Sequence, residues 1–154
     1  MRPARVETID EPLWDRMYAV NIKSIFLAAK YVVPEMKKAG GGAIINTGSV
    51  AGVRPRTYGS ACVSPKGAVI TLTEVLAVEL ARCNIRVNYI NPVLTETSMV
   101  DSMSEESKKV ILSTILVGYM AKSEDQAYAA LYLASDESLM LTGASINVDG
   151  GYGI

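Results

Sequence analysis

The amino-acid sequence predicts an α/β fold: a partial parallel sheet of about three strands with flanking helices. Two observations carry this. Three short β-rich runs alternate with segments of three- and four-residue apolar periodicity, and the connections between runs are helix-length. Strands joined in that way lie parallel and are linked by right-handed crossovers. The 154 residues are about the length of one domain, and a hydrophobic content of 49% can fill a core.

The first helix is expected over residues 10–38. Asp10 is its N-cap and Pro12 lies in its first turn, with Leu13, Met17, Val20, Ser24, Leu27 and Tyr31 recurring at helical steps. A kink is expected at Pro34 and an end at Gly40-Gly41-Gly42. Residues 43–47 then read as a buried strand. A second helix is expected over residues 64–82, with Ser64 as N-cap and Pro65 in the first turn, because proline disfavours helical geometry at the residue before it. On that reading Cys62 and Lys66 share no regular turn. Residues 85–90 alternate with period two and stop at Asn91-Pro92, giving the second strand. A short helix over residues 104–116 lies in a looser excursion. Ser123-Glu124-Asp125-Gln126 has capping-box spacing and opens a helix to Leu133, and residues 144–148 form the last strand before Asp149-Gly150-Gly151.

Composition excludes several chemistries. The chain has no histidine, which removes Ser-His-Asp and Cys-His nucleophiles, His-ligated zinc and imidazole proton shuttles. No metal site is expected. Fifteen basic and 16 acidic residues leave a net charge of −1, so no nucleic-acid partner is implied. Cys62 and Cys83 do not form a CxxC pair and suit a reducing, cytoplasmic setting. Despite a mean hydropathy of +0.21, the apolar stretches are expected to be interrupted too early to span a membrane, and Arg2, Arg5 and Glu7 do not read as a secretory leader. No G-x-G-x-x-G or G-x-x-x-x-G-K-[ST] turn occurs.

Six blocks then follow one another in a recognisable order: Val20-Asn21, Ile44-Ile45-Asn46-Thr47-Gly48-Ser49-Val50-Ala51-Gly52, Ser64-Pro65-Lys66-Gly67-Ala68-Val69, Ile85-Arg86-Val87-Asn88 with Asn91-Pro92, Leu131-Tyr132-Leu133-Ala134-Ser135-Asp136, and Val148-Asp149-Gly150-Gly151. Over nearly its whole length the chain resembles the C-terminal part of a classical short-chain dehydrogenase/reductase. The resemblance implies a Rossmann-type fold, NAD or NADP as cofactor, and reversible hydride transfer between an alcohol and a ketone. Members of that family open with a strand and a Thr-Gly-x-x-x-Gly-x-Gly turn. Neither is found here, so the N-terminal dinucleotide-binding half is expected to be missing, with tight cofactor binding by this chain alone not expected.

The resemblance also places a candidate site. Asn21, Ser49 and Lys66 fall at the family's catalytic Asn, Ser and Lys, with Asn21 midway along the first helix, where the resemblance implies a distortion of the backbone, and Cys62 stands where the family has its catalytic Tyr. A thiol with a reference pKa of about 8.5 can ionise beside an ammonium, but its sulfur ends several ångströms short of a phenolic oxygen. Tyr58 is the other phenol nearby, eight residues before Lys66. Lys66, Pro92, Leu94 and Thr97 fall where the family holds the nicotinamide and its ribose, with Val93 in place of a Gly. The excursion over residues 95–120 carries Met99, Met103 and Met120 and suggests a small hydrophobic alcohol or carbonyl substrate. The helices at residues 10–38 and 64–82 are expected to join subunits of a homo-oligomer, as in the family. The alternative reading is a non-catalytic oligomerisation or binding protein derived from that family.

Overall fold

The structure is a computed structural model and describes residues 4–55, 57, 59–152 and 154. Three parallel strands form one sheet in the order β1 (Gly42–Thr47), β2 (Ile85–Pro92), β3 (Ser145–Val148). Gly42 pairs with Ile85 and Thr47 with Ile90, while Tyr89 to Pro92 pair with Ser145 to Val148. Helices α1 (Glu11–Tyr18) and α2 (Ser24–Lys38) precede β1. Helices α3 (Val50–Val53) and α4 (Ser60–Leu80) join β1 to β2, and α5 (Ser98–Asp101), α6 (Glu105–Leu112) and α7 (Ser123–Ala134) lie between β2 and β3.

Period-two alternation along β2 decides which helix covers which face. Ile85 and Val87 point one way, into a cluster with Ala77 and Leu80 of α4, with Val33 and Met36 of α2 and with Ile44 of β1. Arg86 and Asn88 point the other way. The Asn88 amide donates to the Leu141 carbonyl (2.8 Å) and its oxygen accepts from Ala144 N–H (3.0 Å), so one side chain feeds the chain into β3. The Arg86 guanidinium donates to the carbonyls of Leu133 (2.8 Å) and Ser135 (3.1 Å) and to Ser138 Oγ (3.0 Å), closing the C-terminal end of α7. Cationic donors are favoured there because the last carbonyls of a helix have no partner within it.

Three sequence expectations bear on the site. First, residues Ala19–Lys23 form a π-helical segment around Asn21, the mid-helix distortion that the resemblance implies, and α2 runs on through Pro34. The Asn21 amide donates to the Met17 carbonyl (2.8 Å), one of the polar insertions that widen a helix. Second, β2 runs through Pro92. The N–H groups of Tyr89 and Val93 both face β3, so the ring nitrogen of Pro92 faces β1, which has already ended at Thr47. Its missing N–H therefore breaks no pairing.

The third expectation, on the start of the second helix, is corrected and matters most for the site. Helix α4 begins at Ser60, with Pro65 inside it, so Cys62 and Lys66 lie one turn apart on a continuous helix. Tertiary packing overrides the proline signal: Ala61, Pro65, Val69, Thr73 and Ala77, spaced by four, form the buried stripe of α4, and Thr73 Oγ1 accepts from the buried Asn46 amide of β1 (2.9 Å). By length and composition alone Ser60–Cys83 is long and apolar enough to cross a membrane. Lys66, Glu74 and Glu79 interrupt it, as the sequence expectation holds, and one face of the helix lies against the sheet, while Val75 and Val78 on its other side are exposed.

Smaller shifts concern caps and helix ends. Asp10 stands at the N-cap without a side-chain bond. The Asp125 carboxylate accepts Lys122 N–H (2.7 Å), one residue earlier than the capping box expected from Ser123. The excursion helix stops at Leu112 rather than 116, and α5 was not foreseen.

Candidate active site

At the carboxyl ends of β1 and β2 lies an open cleft of ≈ 670 Å³. In an open α/β sheet this end is where ligands bind, because strand ends and the loops leaving them provide unpaired backbone groups and freely placed side chains. Ser49, Lys66, Pro92, Leu94 and Thr97, expected at the site from sequence, all line it. Asn21 and Cys62 do not line it, and Tyr58 lies outside the described residues. The π segment carrying Asn21 packs against α4, the helix that bears Lys66.

Each lining residue is placed by a local cause. Ser49 follows Gly48 at the end of β1 in extended conformation and caps α3, its Oγ accepting from Ala51 N–H (3.2 Å). Capping uses an acceptor site of the hydroxyl, and the O–H proton is left to donate into the cleft. Lys66 reaches back along α4, and its Nζ donates to the Thr47 carbonyl (2.9 Å) at the last residue of β1. An ammonium has three donors, so two remain for a ligand. Burial pushes the Lys66 amine below the ordinary lysine range and the Cys62 thiol above the ordinary cysteine range. The thiol is therefore held in its protonated form at neutral pH.

A lowered lysine pKa has a defined stability sign. The unfolded chain binds the proton more tightly, so stability rises with pH from the folded pKa up to the ordinary value near 10.5. Amine-specific labelling of the folded chain over a pH series is expected to give Lys66 an apparent pKa below 10.5, and the same titration in denaturant should return it to the ordinary value. A folded-state value at or above 10.5 contradicts the burial.

Helix α3 approaches α4 through Gly52. A Cβ there would lie 2.8 Å from the Lys66 carbonyl carbon and 3.0 Å from Gly67 N, both backbone atoms that cannot yield. Gly52→Ala is expected to cost about 1–3 kcal/mol through overpacking, read as a fall of roughly 3–10 °C in Tm, and to shift the Lys66 resonances. An unchanged Tm would show that α3 rides freely over α4.

The cleft wall is apolar, with Val93, Leu94, Val100, Met99, Met103 and Ile111, so two of the three methionines expected near a substrate line it and Met120 does not. Val93, standing where the family has Gly, packs its side chain with Val50, Ile115 and Tyr152 beneath the cleft. It lies outside the positive-φ region, so the loop geometry here does not require glycine. Sequence reasoning missed Thr95, Ser123 and Gln126. The Gln126 amide donates at long range to Thr95 Oγ1 (3.4 Å) and to the Val148 carbonyl (3.3 Å), while its buried Oε1 has no partner. No signal near Gln126 in sequence points to residue 95, because the contact spans 31 residues.

A hydroxyl donor, an ammonium with two spare N–H groups and an apolar wall fit the nicotinamide and ribose of a dinucleotide. The remaining pyrophosphate and adenosine would find no glycine-rich strand-to-helix turn in this sequence. Among the described residues no group of His, Cys, Asp and Glu could hold a metal ion.

The parallel sheet and this cleft define a Rossmann-type ligand-binding unit, and comparison with known proteins places it further. The family profile described as enoyl-(acyl carrier protein) reductase matches residues 1–153. The chain is 39% identical over 158 residues to 4-formylbenzenesulfonate dehydrogenase TsaC1/TsaC2 of Comamonas testosteroni, covering 99% of this chain and 62% of the relative. It is 39% identical over 150 residues to the 3-oxoacyl-[acyl-carrier-protein] reductase FabG of Thermotoga maritima, covering 97% of this chain and 61% of that one. Among solved structures, 3-ketoacyl-(acyl-carrier-protein) reductase from Brucella melitensis complexed with NADH superposes with a TM-score of 0.92 at 32% identity, over 99% of this chain and 63% of that chain. The chain belongs to the short-chain dehydrogenase/reductase family and spans about three fifths of the length of these relatives.

Proposed function

We propose that this chain is the substrate-side part of an NAD- or NADP-dependent oxidoreductase acting on small hydrophobic alcohols or carbonyl compounds. The observation that carries the reading is the convergence of Ser49, Lys66, Pro92, Leu94 and Thr97 on one apolar cleft at the strand ends. In this reading Ser49 donates its O–H to the substrate oxygen and stabilises the charge that develops there. Lys66 holds vicinal hydroxyls with its two spare N–H groups, while Pro92, Leu94 and Thr97 line the side of the cleft that takes the nicotinamide. The cofactor, when bound, supplies or accepts the hydride. Asn21 acts from outside the cleft, through the π-helical segment packed against α4. Cys62 stands at the position that transfers the proton, with a partly buried, protonated thiol of short reach.

Titration of the chain with nicotinamide mononucleotide, followed by ¹⁵N–¹H spectra, tests the reading. Shifts confined to Ser49, Lys66, Leu94 and Thr97 are expected, with weak affinity because the adenosine half contributes nothing; absence of shifts there overturns it. The intact dinucleotide is expected to bind this chain no more tightly than the mononucleotide.

The position of Cys62 outside the cleft favours a second reading, a non-catalytic module that keeps the family's packing surfaces. Under both readings we propose a cytoplasmic homo-oligomer joined through the α1–α2 stretch and α4. Supporting this, Phe26, Tyr31 and Val32 on α2 and Val78 on α4 are exposed, and β1 has an edge with no strand partner among the described residues. Sedimentation at tens of micromolar should show a dimer or larger; a stable monomer would remove the oligomer from both readings.

A further inference from the structure

The segment after β3 is built as a return turn. Gly150 and Gly151 take φ of +60° and +79°, and a Cβ on Gly150 would lie 2.5 Å from Val117 Cγ2 and 2.8 Å from Ile115 Cγ2. The Asp149 side chain accepts Gly151 N–H (3.0 Å) and its carbonyl accepts Tyr152 N–H (3.1 Å), while Val117 N–H donates to the Gly150 carbonyl (3.1 Å). Four constraints thus fix one reversal, and their product is to carry Tyr152 back beneath the cleft.

Tyr152 is 6% exposed there, packed with Val50, Val93 and Ile115, and Leu94 packs against the same cluster. Val50 opens α3, directly after Ser49. Val93 and Leu94 belong to the loop that leads to Thr97. One aromatic ring therefore underlies both chain segments that bring candidate residues to the cleft from the strand ends. The same residue holds α3 a second time, because Arg54, at the C-cap of α3, donates from its guanidinium to the Tyr152 carbonyl (2.5 Å). A helix of four residues cannot hold its own position. Beside its packing on α4 through Gly52, its beginning rests on the Tyr152 ring and its end is tied to the Tyr152 backbone.

We infer that Tyr152 and Arg54 are positioning residues of the cleft: the return turn sets where the Ser49 hydroxyl and the 92–97 loop stand, and so sets ligand affinity. The affinity half of this inference rests on the proposed nicotinamide site, whereas the coupling of the tail to α3 does not.

The test uses the full chain and the variants Arg54→Met, Arg54→Lys and Tyr152→Ala. Two readouts are taken: amide hydrogen exchange at Gly52 and Arg54, whose N–H groups donate to the Ser49 and Val50 carbonyls (2.9 and 2.8 Å), and the Kd for nicotinamide mononucleotide. Arg54→Met leaves the buried cluster intact, so it remains informative even where Tyr152→Ala fails to fold. It is expected to speed exchange at both amides by about tenfold and to raise Kd by roughly fivefold, with exchange at Val87 and Tyr89 in β2 unchanged. Arg54→Lys, which keeps a cationic donor, should recover most of both effects.

Unchanged exchange in Arg54→Met overturns the coupling. Faster exchange with an unchanged Kd overturns the positioning role and leaves Arg54 a purely structural tie. Failure of the parent chain to bind the mononucleotide overturns the reading of the site and the affinity half with it, while the exchange comparison still decides the coupling because it needs no ligand.

Discussion

Cys62→Tyr is expected to raise turnover by roughly 10²–10⁴-fold, the range that a positioned general acid or base contributes. The experiment requires the chain to be joined to the part of the Thermotoga maritima relative that lies outside the matched region, which covers 61% of that relative, with turnover followed as oxidation of NADH or NADPH by small cyclic ketones. The structure makes the substitution well posed. Cys62 and Lys66 lie on one unbroken helix four residues apart, hence on the same face, and a phenol at residue 62 extends several ångströms further than the thiol. Burial also holds the Cys62 thiol in its protonated form, so at neutral pH it is no base for alcohol oxidation. A pH profile sharpens the result: a phenol beside an ammonium titrates below its ordinary value near 10, and the Tyr variant should show a base of that kind that the parent lacks. An unchanged rate would mean that another group transfers the proton and that residue 62 is misplaced in the proposed mechanism.

Arg86→Met is expected to cost about 3 kcal/mol, seen as a loss of roughly 6–12 °C in Tm. The guanidinium bonds two carbonyls at the end of α7 and the hydroxyl of the buried Ser138, with a longer contact of 3.5 Å to the Leu141 carbonyl. Removing it takes a charged donor from each of these partly buried acceptors, leaving the Leu133 and Ser135 carbonyls only their bonds from Ser138, and withdraws a cation from a helix C-terminus. Arg86→Lys should recover only part of the loss, since a point donor cannot serve acceptors spread over residues 133–141. A loss no larger than that of an exposed arginine would show that α7 ends without this support.

Some of this architecture could be read directly from the chain. The strand cores, the parallel order and the excursion between β2 and β3 follow from local apolar periodicity and from connection lengths. Ser49, Lys66, Pro92, Leu94 and Thr97 could be assigned because the blocks that carry the family resemblance are short and local, and the resemblance gives each of these residues its place. Other features could not be reached that way. Gln126 meets Thr95, and Arg54 meets Tyr152, across 31 and 98 residues of sequence, and no local pattern encodes such pairs.

The sequence by itself determined the α/β class, the family resemblance and the place of Cys62 within that resemblance, because side-chain periodicity and residue identity are properties of short segments. Only the tertiary structure decided that α4 begins before Pro65 and that the segment after β3 returns beneath the cleft. In both, burial of one element against another outweighs a local conformational preference worth a few kcal/mol at most. For α4 the buried stripe from Ala61 to Ala77 did so, and for the tail the seat of Tyr152 among Val50, Val93 and Ile115 did the same.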